Sequence, residues 1–416
     1  MGAVATTSTR RRARTSAAVA FGRLANRTSR WLGRGTGAVI GGRVALKIDP
    51  HVLPRLTAGR PVTIVSGTNG KTTTTRLVAE ALGSQRSVST TRGANMPSGL
   101  VEPASSSADE LVFEVDELWV PQVVAQTRAS VLVLLNISRD QLDRITEIRR
   151  IAEGWRATLA RADWPLTVVA NADDPLVVWA VGDHRPVVWV AGGYRWKEDA
   201  ALCPGCSRVR PMGDDGDYRC ECGLHRPTAE WRVIDGVVVD PHGQAHPLTL
   251  GLPGAFNLAN AATALAVASV RGVDAEGAAR AVERVESVGG RYLTREVDGR
   301  QVRLLMGKNP ASWTELVALL DGGDAPVVIC LNARGADGMD TSWIWDVPFE
   351  RLAGRTVVAS GERRHDLAVR LSVGDVEHTV AADPIAALAT LPIGPVEMVA
   401  TYTAFHDLLE RLDVRW

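Results

Sequence analysis

Eight residues, Ser66-Gly67-Thr68-Asn69-Gly70-Lys71-Thr72-Thr73, constrain this chain more than any others. They follow an apolar run, Val62-Thr63-Ile64-Val65, that reads as a buried strand, and they lead into a helical pattern from Thr72 to Leu82. A glycine-bearing turn between strand and helix, ending in Lys-Thr, is an arrangement that cradles phosphates. The glycines let backbone N–H groups face phosphate oxygens, and the helix start adds a positive dipole end. Lys71 neutralises charge and Thr72 can hold Mg²⁺. Gly67, Thr68, Asn69, Gly70, Lys71, Thr72 and Thr73 are thus the expected nucleotide-binding residues. The first glycine of the general pattern would fall at Val65, so this is a shortened variant. An ordinary glycine turn is the plainer alternative. Basic-residue usage weighs against it: the 416 residues hold 4 Lys and 43 Arg, and one of those lysines stands here.

The pattern around the loop is α/β. Leu111–Val115, Val131–Ile137 and Leu166–Ala170 read as further strands, with a helical stretch from Ile145 to Ala162, which predicts a mostly parallel sheet flanked by helices. A hairpin is expected around Asp235-Gly236, and helices over Asn257–Ser269 and Ala275–Val285. The alternation restarts near residue 293, with strands at Val302–Leu305, Val327–Leu331, Thr356–Ala359 and Val396–Thr401. We therefore expect a basic, disordered arm over 1–40, a central nucleotide-binding domain over 41–293 and a smaller C-terminal α/β domain over 294–416, with Gly289-Gly290 as hinge. The first 43 residues carry nine Arg and no acid, which also allows weak attraction to anionic lipid. Over the whole chain 47 basic residues balance 47 acidic ones, so a dedicated nucleic-acid binder is not expected.

Four of the five cysteines fall in an insert at 201–228. Cys203-Pro204-Gly205-Cys206 and Cys220-Glu221-Cys222-Gly223 give CxxC, thirteen residues, then CxC. Four thiolates on two turns suit a closed, structural zinc site with Cys203, Cys206, Cys220 and Cys222 as ligands. The second pair is one residue shorter than the usual knuckle, and His225 is a possible substitute ligand. The plainer alternative is four reduced structural cysteines. His242 and His246 are expected in a surface loop.

Three further stretches sit at strand ends: Glu114-Val115-Asp116-Glu117, Asn136-Ile137-Ser138-Arg139-Asp140-Gln141-Leu142-Asp143 and Asn171-Ala172-Asp173-Asp174-Pro175. With GTNGKTT before them and Gly254-Ala255-Phe256-Asn257-Leu258-Ala259-Asn260-Ala261-Ala262 after, they resemble the Mur ligases and folylpolyglutamate synthases over residues 60–295. That resemblance implies ATP and Mg²⁺ as cofactors, with Asn257 contacting adenine, Glu114 and Thr72 at Mg²⁺, and Arg291 reaching the phosphates. Two departures stand out. Gln141 replaces a common His, and no Lys lies between Lys71 and Lys197 to be the carbamylated lysine of several relatives. Only about sixty residues precede the loop, too few for the domain that grips a UDP-linked precursor in conventional members.

Lys308-Asn309-Pro310-Ala311 and Asp337-Gly338-Met339-Asp340-Thr341-Ser342-Trp343-Ile344-Trp345-Asp346, with the four-cysteine insert, resemble the MurT branch, the ligase subunits of lipid II isoglutaminyl synthases that hydrolyse glutamine. The resemblance implies a carbon–nitrogen ligase that amidates the α-carboxylate of D-glutamate in the lipid II stem peptide during peptidoglycan synthesis, through an acyl phosphate, in the cytoplasm at the inner membrane face. It also implies a heterodimer with a GatD-like glutaminase, whose Cys-His pair an Asp of this chain completes: Asp346, with Asp340 and Asp366 behind it. The residues support that division of labour. Cys330 lies inside an apolar strand without the Gly-flanked turn of a nucleophile, so this chain is not expected to hydrolyse glutamine itself. An amino-acid-adding ligase of the Mur or folylpolyglutamate type, and an ATP-binding scaffold without catalysis, are the alternatives.

Overall fold

The computed structural model describes residues 2–31, 38–91, 93–140, 148–193, 196, 198–209, 213, 216–288 and 292–413. Gly289, Gly290 and Arg291, the expected hinge and phosphate-reaching arginine, lie outside them, as does Gln141.

Two sheets organise the chain. The first has nine strands in the order β2-β3-β1-β4-β5-β6-β7-β8-β9: β1 Val62–Ser66, β2 Val88–Thr90, β3 Glu110–Glu114, β4 Val131–Leu134, β5 Thr167–Asn171, β6 Val187–Ala191, β7 Trp231–Ile234, β8 Val237–Val239 and β9 Ala245–His246. The pairs from β2 to β7 are parallel, and β7 to β9 form an antiparallel edge. β1, β3 and β4 are buried at every position, as strands covered by helices on both faces must be. Asp235 and Gly236 turn the β7–β8 hairpin with φ of 48° and 78°, the two left-handed residues a tight hairpin turn needs. His246 is not in a surface loop: it is buried in β9, stacked on Trp231 and paired with Asp240 at 3.3 Å.

The second sheet has six strands, β10-β11-β15-β12-β13-β14: β10 Tyr292–Val297, β11 Arg300–Met306, β12 Val327–Cys330, β13 Val357–Ser360, β14 His378–Val380 and β15 Gly394–Ala400. Only β10–β11 is antiparallel. The short strands β2 and β14 carry too few residues to register as an apolar period. Trp313, Trp343 and Phe349 pack together in this unit's core, so Trp343 is a core residue while its neighbour Trp345 is half exposed.

Where the N-terminal arm is described, it forms a helix over Gly2–Trp31 that packs on a second helix, Ala38–Ile48. The crossing is close because Gly22 and Gly41 face each other, and the Asn26 carboxamide oxygen accepts the Gly41 N–H at 2.7 Å. Asp49, fully buried, accepts Thr15 Oγ1 at 2.9 Å and Arg55 Nη1 at 2.6 Å, which fixes the hairpin to the body. Sequence periodicity missed this because an alanine, a glycine and an asparagine, rather than large apolar residues, make the contact face.

Gly42 meets the Pro97–Ala104 helix, and a Cβ there would fall 1.7 Å from the Ser98 carbonyl oxygen. Gly→Ala inside a helix ordinarily stabilises by about 1 kcal/mol. Here Gly42→Ala should instead destabilise by roughly 1–3 kcal/mol through the clash, read as a lowered midpoint in thermal or denaturant unfolding.

Candidate active site

Parallel strands point their carboxyl ends the same way, and an open α/β sheet collects ligand contacts there. In the first sheet these ends deliver Gly67–Gly70 after β1, Asp116 and Glu117 after β3, Asn136–Asp140 after β4, Asp173 after β5 and Gly192-Gly193 after β6. In the second they deliver Lys308 after β11, Ala336 after β12 and Tyr402 after β15. Thr68–Gly70, Asp116, Asn136, Asp140, Asp173 and Gly192-Gly193 of the first set, with Lys308, Ala336 and Tyr402 of the second, line one cleft of about 500 Å³ between the two sheets. Every strand-end motif of the central domain therefore reaches the same place.

The phosphate loop is stitched to the end of β4. Asn136 O accepts the Thr68 N–H at 2.9 Å, Asn136 Oδ1 the Asn69 N–H at 2.8 Å, and Ser138 N–H donates to Thr68 Oγ1 at 3.0 Å. Gly67 must be glycine: a Cβ would lie 2.8 Å from Leu135 and 2.9 Å from the Asn136 nitrogen. With the Thr68 and Asn69 amides committed to Asn136, phosphate recognition falls to the amides that open the Lys71–Gly83 helix, which a helix leaves without internal partners. Thr72 and Thr73 sit in that first turn.

Lys71 is buried, and its ammonium donates to Gly67 O at 2.5 Å, Thr68 O at 3.2 Å and Glu117 Oε2 at 2.9 Å. Burial alone would lower its pKa, but Glu117, with Asp140 and Glu114 beyond, raises it above the usual lysine value. Burial likewise opposes the Glu117 carboxylate, and Lys71 overrides it, holding the group below its usual range. Glu117 is thus the partner of the catalytic-type lysine, a role the motif reading left unassigned. Glu114 lines the cleft with a nearly buried carboxylate that accepts from Asn95 Nδ2 at 3.3 Å. Asp116 is beside it, its pKa raised by burial and by the charge of Glu117. Glu114 presents carboxylate oxygens on the cleft wall, the donor type a hard divalent cation takes, and Thr72 stands in the first turn of the helix that follows the loop.

The cleft closes across the two units through the Lys308-Asn309 turn. Asn309 is fully buried and works at both ends of its carboxamide. Its oxygen accepts the Ser312 N–H at 2.9 Å, capping the Pro310–Leu320 helix, while its nitrogen donates to Asn69 Oδ1 at 3.1 Å and Asp140 Oδ1 at 3.0 Å. Lys308 Nζ reaches Asp140 Oδ2 at 3.0 Å, and this charge holds Asp140 below the usual carboxylate range despite burial. Arg139, next in the same motif, meets Asp346 at 3.3 Å.

Asn257 does not face the cleft. It is fully buried, donating to Pro253 O at 2.6 Å and accepting from Asn260 Nδ2 at 3.1 Å. The residue of that motif that lines the cleft is Asn260, with Phe256 and Ala259. A helical spacing of three separates the two asparagines, so sequence could not say which faces inward.

The four cysteines come together as expected, their sulfurs all within 4.8 Å of one another and Cys203–Cys222 and Cys206–Cys220 each at 3.5 Å. Gly223, with φ of 94°, turns the chain after the shortened CxC pair and lets both sulfurs point inward. His225 instead turns to Gly223 O. These separations fit tetrahedral zinc–thiolate geometry. Burial pushes the Cys203 thiol up to about 12, while the Cys222 backbone N–H draws Cys220 down to about 7. The ribbon is tied to the cleft: Tyr218 Oη donates to Ala172 O at 3.0 Å, and Arg226 pairs with Asp173, whose other oxygen accepts the Gly192 and Gly193 N–H groups at 2.8 Å.

Asp346 ends a short 3₁₀ turn, Ser342–Asp346, and is about two-fifths exposed. Asp340 accepts the Ser342 N–H at 2.8 Å within its own turn, and Asp366 is held by Arg363 at 2.5 Å. Cys330 is buried in β12 and burial pushes its thiol up to about 12, which makes it inert as a nucleophile.

A family model described as the Mur ligase middle domain matches residues 65–193, and one described as MurT ligase C-terminal matches 306–405. The chain is 28% identical to the lipid II isoglutaminyl synthase (glutamine-hydrolyzing) subunit MurT of Streptococcus pneumoniae, over 95% of this chain and 97% of that one. It is 30% identical to the UDP-N-acetylmuramate–L-alanine ligase of Paenarthrobacter aurescens over 79% of this chain and 74% of that one. Among solved structures, a pseudomurein peptide ligase type C from Methanothermus fervidus superposes with a TM-score of 0.69 at 18% identity, covering 87% of this chain and 81% of that one. The MurF ligase of Thermotoga maritima in complex with ADP gives 0.62 at 20% identity, covering 88% and 83%.

Three outcomes follow from the geometry. Asn309→Asp keeps a good helix cap but sets a second carboxylate against Asp140. It should cost roughly 1–3 kcal/mol of nucleotide affinity through like-charge repulsion and also lower the melting midpoint, because the two hydrogen bonds from the buried carboxamide nitrogen are lost; calorimetric ATP titration and thermal unfolding check it. Cys206→Ser should lose the metal in elemental analysis and lower the melting midpoint by several degrees. Arg226→Ala should weaken ATP binding with the metal retained.

Proposed function

This chain belongs to the Mur ligase family as a ligase of the MurT type, and on that premise we propose that it amidates the α-carboxylate of D-glutamate in the lipid II stem peptide, giving D-isoglutamine with ammonia supplied by a separate glutaminase subunit. Its relatives are named as subunits, so a partner complex is implied. One observation carries the reading: the phosphate loop and the Lys308-Asn309 turn of a second unit close on a single cleft that holds a paired, buried lysine.

In this reading ATP lies with its phosphates on the first turn of the Lys71–Gly83 helix and its base near the Phe256 and Tyr292 rings, which are 6.2 Å apart. Lys71 leaves the loop carbonyls to meet phosphate, and Glu117 keeps it charged and placed. Mg²⁺ held by Glu114 and Thr72 would neutralise phosphate charge. The substrate carboxylate takes the γ-phosphoryl group, forming an acyl phosphate and ADP. The ammonia lone pair then forms the C–N bond, the C–O bond to phosphate breaks, and inorganic phosphate and a proton leave. Lys308 and the start of the Pro310–Leu320 helix stand opposite, where developing negative charge needs cations and dipoles.

A nitrogen source outside this chain is supported by the burial of Cys330, which pushes its thiol up to about 12. Asp346 is the carboxylate best placed to orient a histidine of the glutaminase: it is on the surface beside the half-exposed Trp345 and restrained by Arg139. Asp340 and Asp366 are each engaged locally.

Co-expression with a glutaminase subunit and mass spectrometry of lipid II tests the assignment. Glutamine should support amidation only when both chains are present, and ammonium should support it with this chain alone. Asp346→Asn should lower glutamine-dependent amidation by about 10³-fold or more and leave the ammonium-dependent rate intact. Amidation from neither source, with ATP binding confirmed, contradicts the proposal.

A further inference from the structure

The molecule is electrically polarised along its chain. Ten of its 47 basic residues and none of its 47 acidic ones precede Asp49, which leaves the remainder ten charges negative. The positive part is the N-terminal helical hairpin, whose first helix has two differently built faces. Ala18, Gly22, Asn26 and Ser29 are buried against the hairpin partner and the body. On the opposite side Phe21, Leu24 and Trp31 project at 57%, 58% and 85% exposure, spaced three and seven residues apart and therefore on one stripe. Arg27 and, further round, Arg23 border it on one side, both exposed, with Arg23 also donating to Ser105 Oγ at 3.3 Å. Ile40 of the second helix is 40% exposed.

A stripe of one Phe, one Leu and one Trp in water is costly, and no described element of this chain covers it. Its chemistry selects the occupant. Arginines bordering an aromatic and aliphatic stripe, on a helix without an acid, match the layering of an anionic bilayer surface: phosphate at headgroup level and hydrocarbon a few ångströms below. Indole rings favour that boundary. No described helix is long and apolar enough to cross a membrane, so the helix would lie on the surface rather than span it. The negative body is repelled by the same surface, which orients the molecule hairpin-first.

We propose that the Gly2–Trp31 helix docks on anionic phospholipid, with Phe21, Leu24 and Trp31 entering the acyl boundary and Arg23 and Arg27 meeting headgroup phosphates. The inference does not depend on the ligase reading, because it concerns binding to lipid and not turnover. For a ligase working on a lipid-linked substrate, it would hold the enzyme where that substrate is.

Vesicle flotation of the full chain, alone and with its partner subunit, tests it. The chain should float with vesicles of phosphatidylglycerol and phosphatidylcholine, far less with phosphatidylcholine alone, and dissociate as salt rises. Arg27→Glu should weaken binding about tenfold or more. The double variant Leu24→Ser, Trp31→Ser should do the same at high and low salt. Both should keep the parent's melting midpoint and ATP affinity, since the substituted side chains are exposed. Absence of flotation with phosphatidylglycerol vesicles overturns the proposal, as do variants that float like the parent. So does a loss of partner assembly on size exclusion with flotation unchanged, which would give this face to the partner subunit.

Discussion

The carboxamide of Asn309 is the point at which two sheets become one site. Its oxygen starts a helix of the second unit, and its nitrogen holds Asn69 of the phosphate loop and Asp140 of the β4 motif. A buried amide satisfied at both ends is expensive to disturb, because either partner left alone keeps its desolvation penalty. The junction therefore sets how far apart the two rows of strand ends can lie, and with that the size of the cleft. Lys308 adds charge to the same junction by balancing Asp140.

Around that junction the first sheet behaves as a bracket. β1 pairs with both β3 and β4, so the loops after these strands are neighbours by topology. Lys71 and Glu117 come from two of those loops and neutralise each other in a place where neither could be charged alone. The cysteine ribbon, an insertion between β6 and β7, reaches the cleft indirectly: Arg226 fixes Asp173, and Asp173 fixes the Gly192-Gly193 backbone. The four-cysteine ribbon is in this way coupled to the cleft without lining it.

The elements legible in the sequence were those with a strong period or a chemical signature. The strand–loop–helix around Gly67–Thr73, the Asp235-Gly236 hairpin and the cysteine cluster all lie where residue types alone put them. What escaped was set by tertiary contact. The Gly2–Trp31 helix is held by small residues and Asn26, which read as a polar arm. Asn260 rather than Asn257 faces the cleft because of how the Ala255–Val270 helix is rotated, and a repeat of three cannot fix rotation. The pairing of Lys71 with Glu117 spans 46 residues, and the Glu114–Glu117 stretch offers three carboxylates for the task. The interlock of Lys308-Asn309 with Asp140 required knowing how two units meet.

The central claim, ligation through an acyl phosphate formed in this cleft, has a direct isotopic test. Lipid II carrying ¹⁸O in the D-glutamate α-carboxylate should be turned over by this chain with ATP and ammonium, and the released inorganic phosphate analysed by mass spectrometry. The account predicts that one ¹⁸O passes into phosphate for each amide formed. Amide formation with unlabelled phosphate would contradict it.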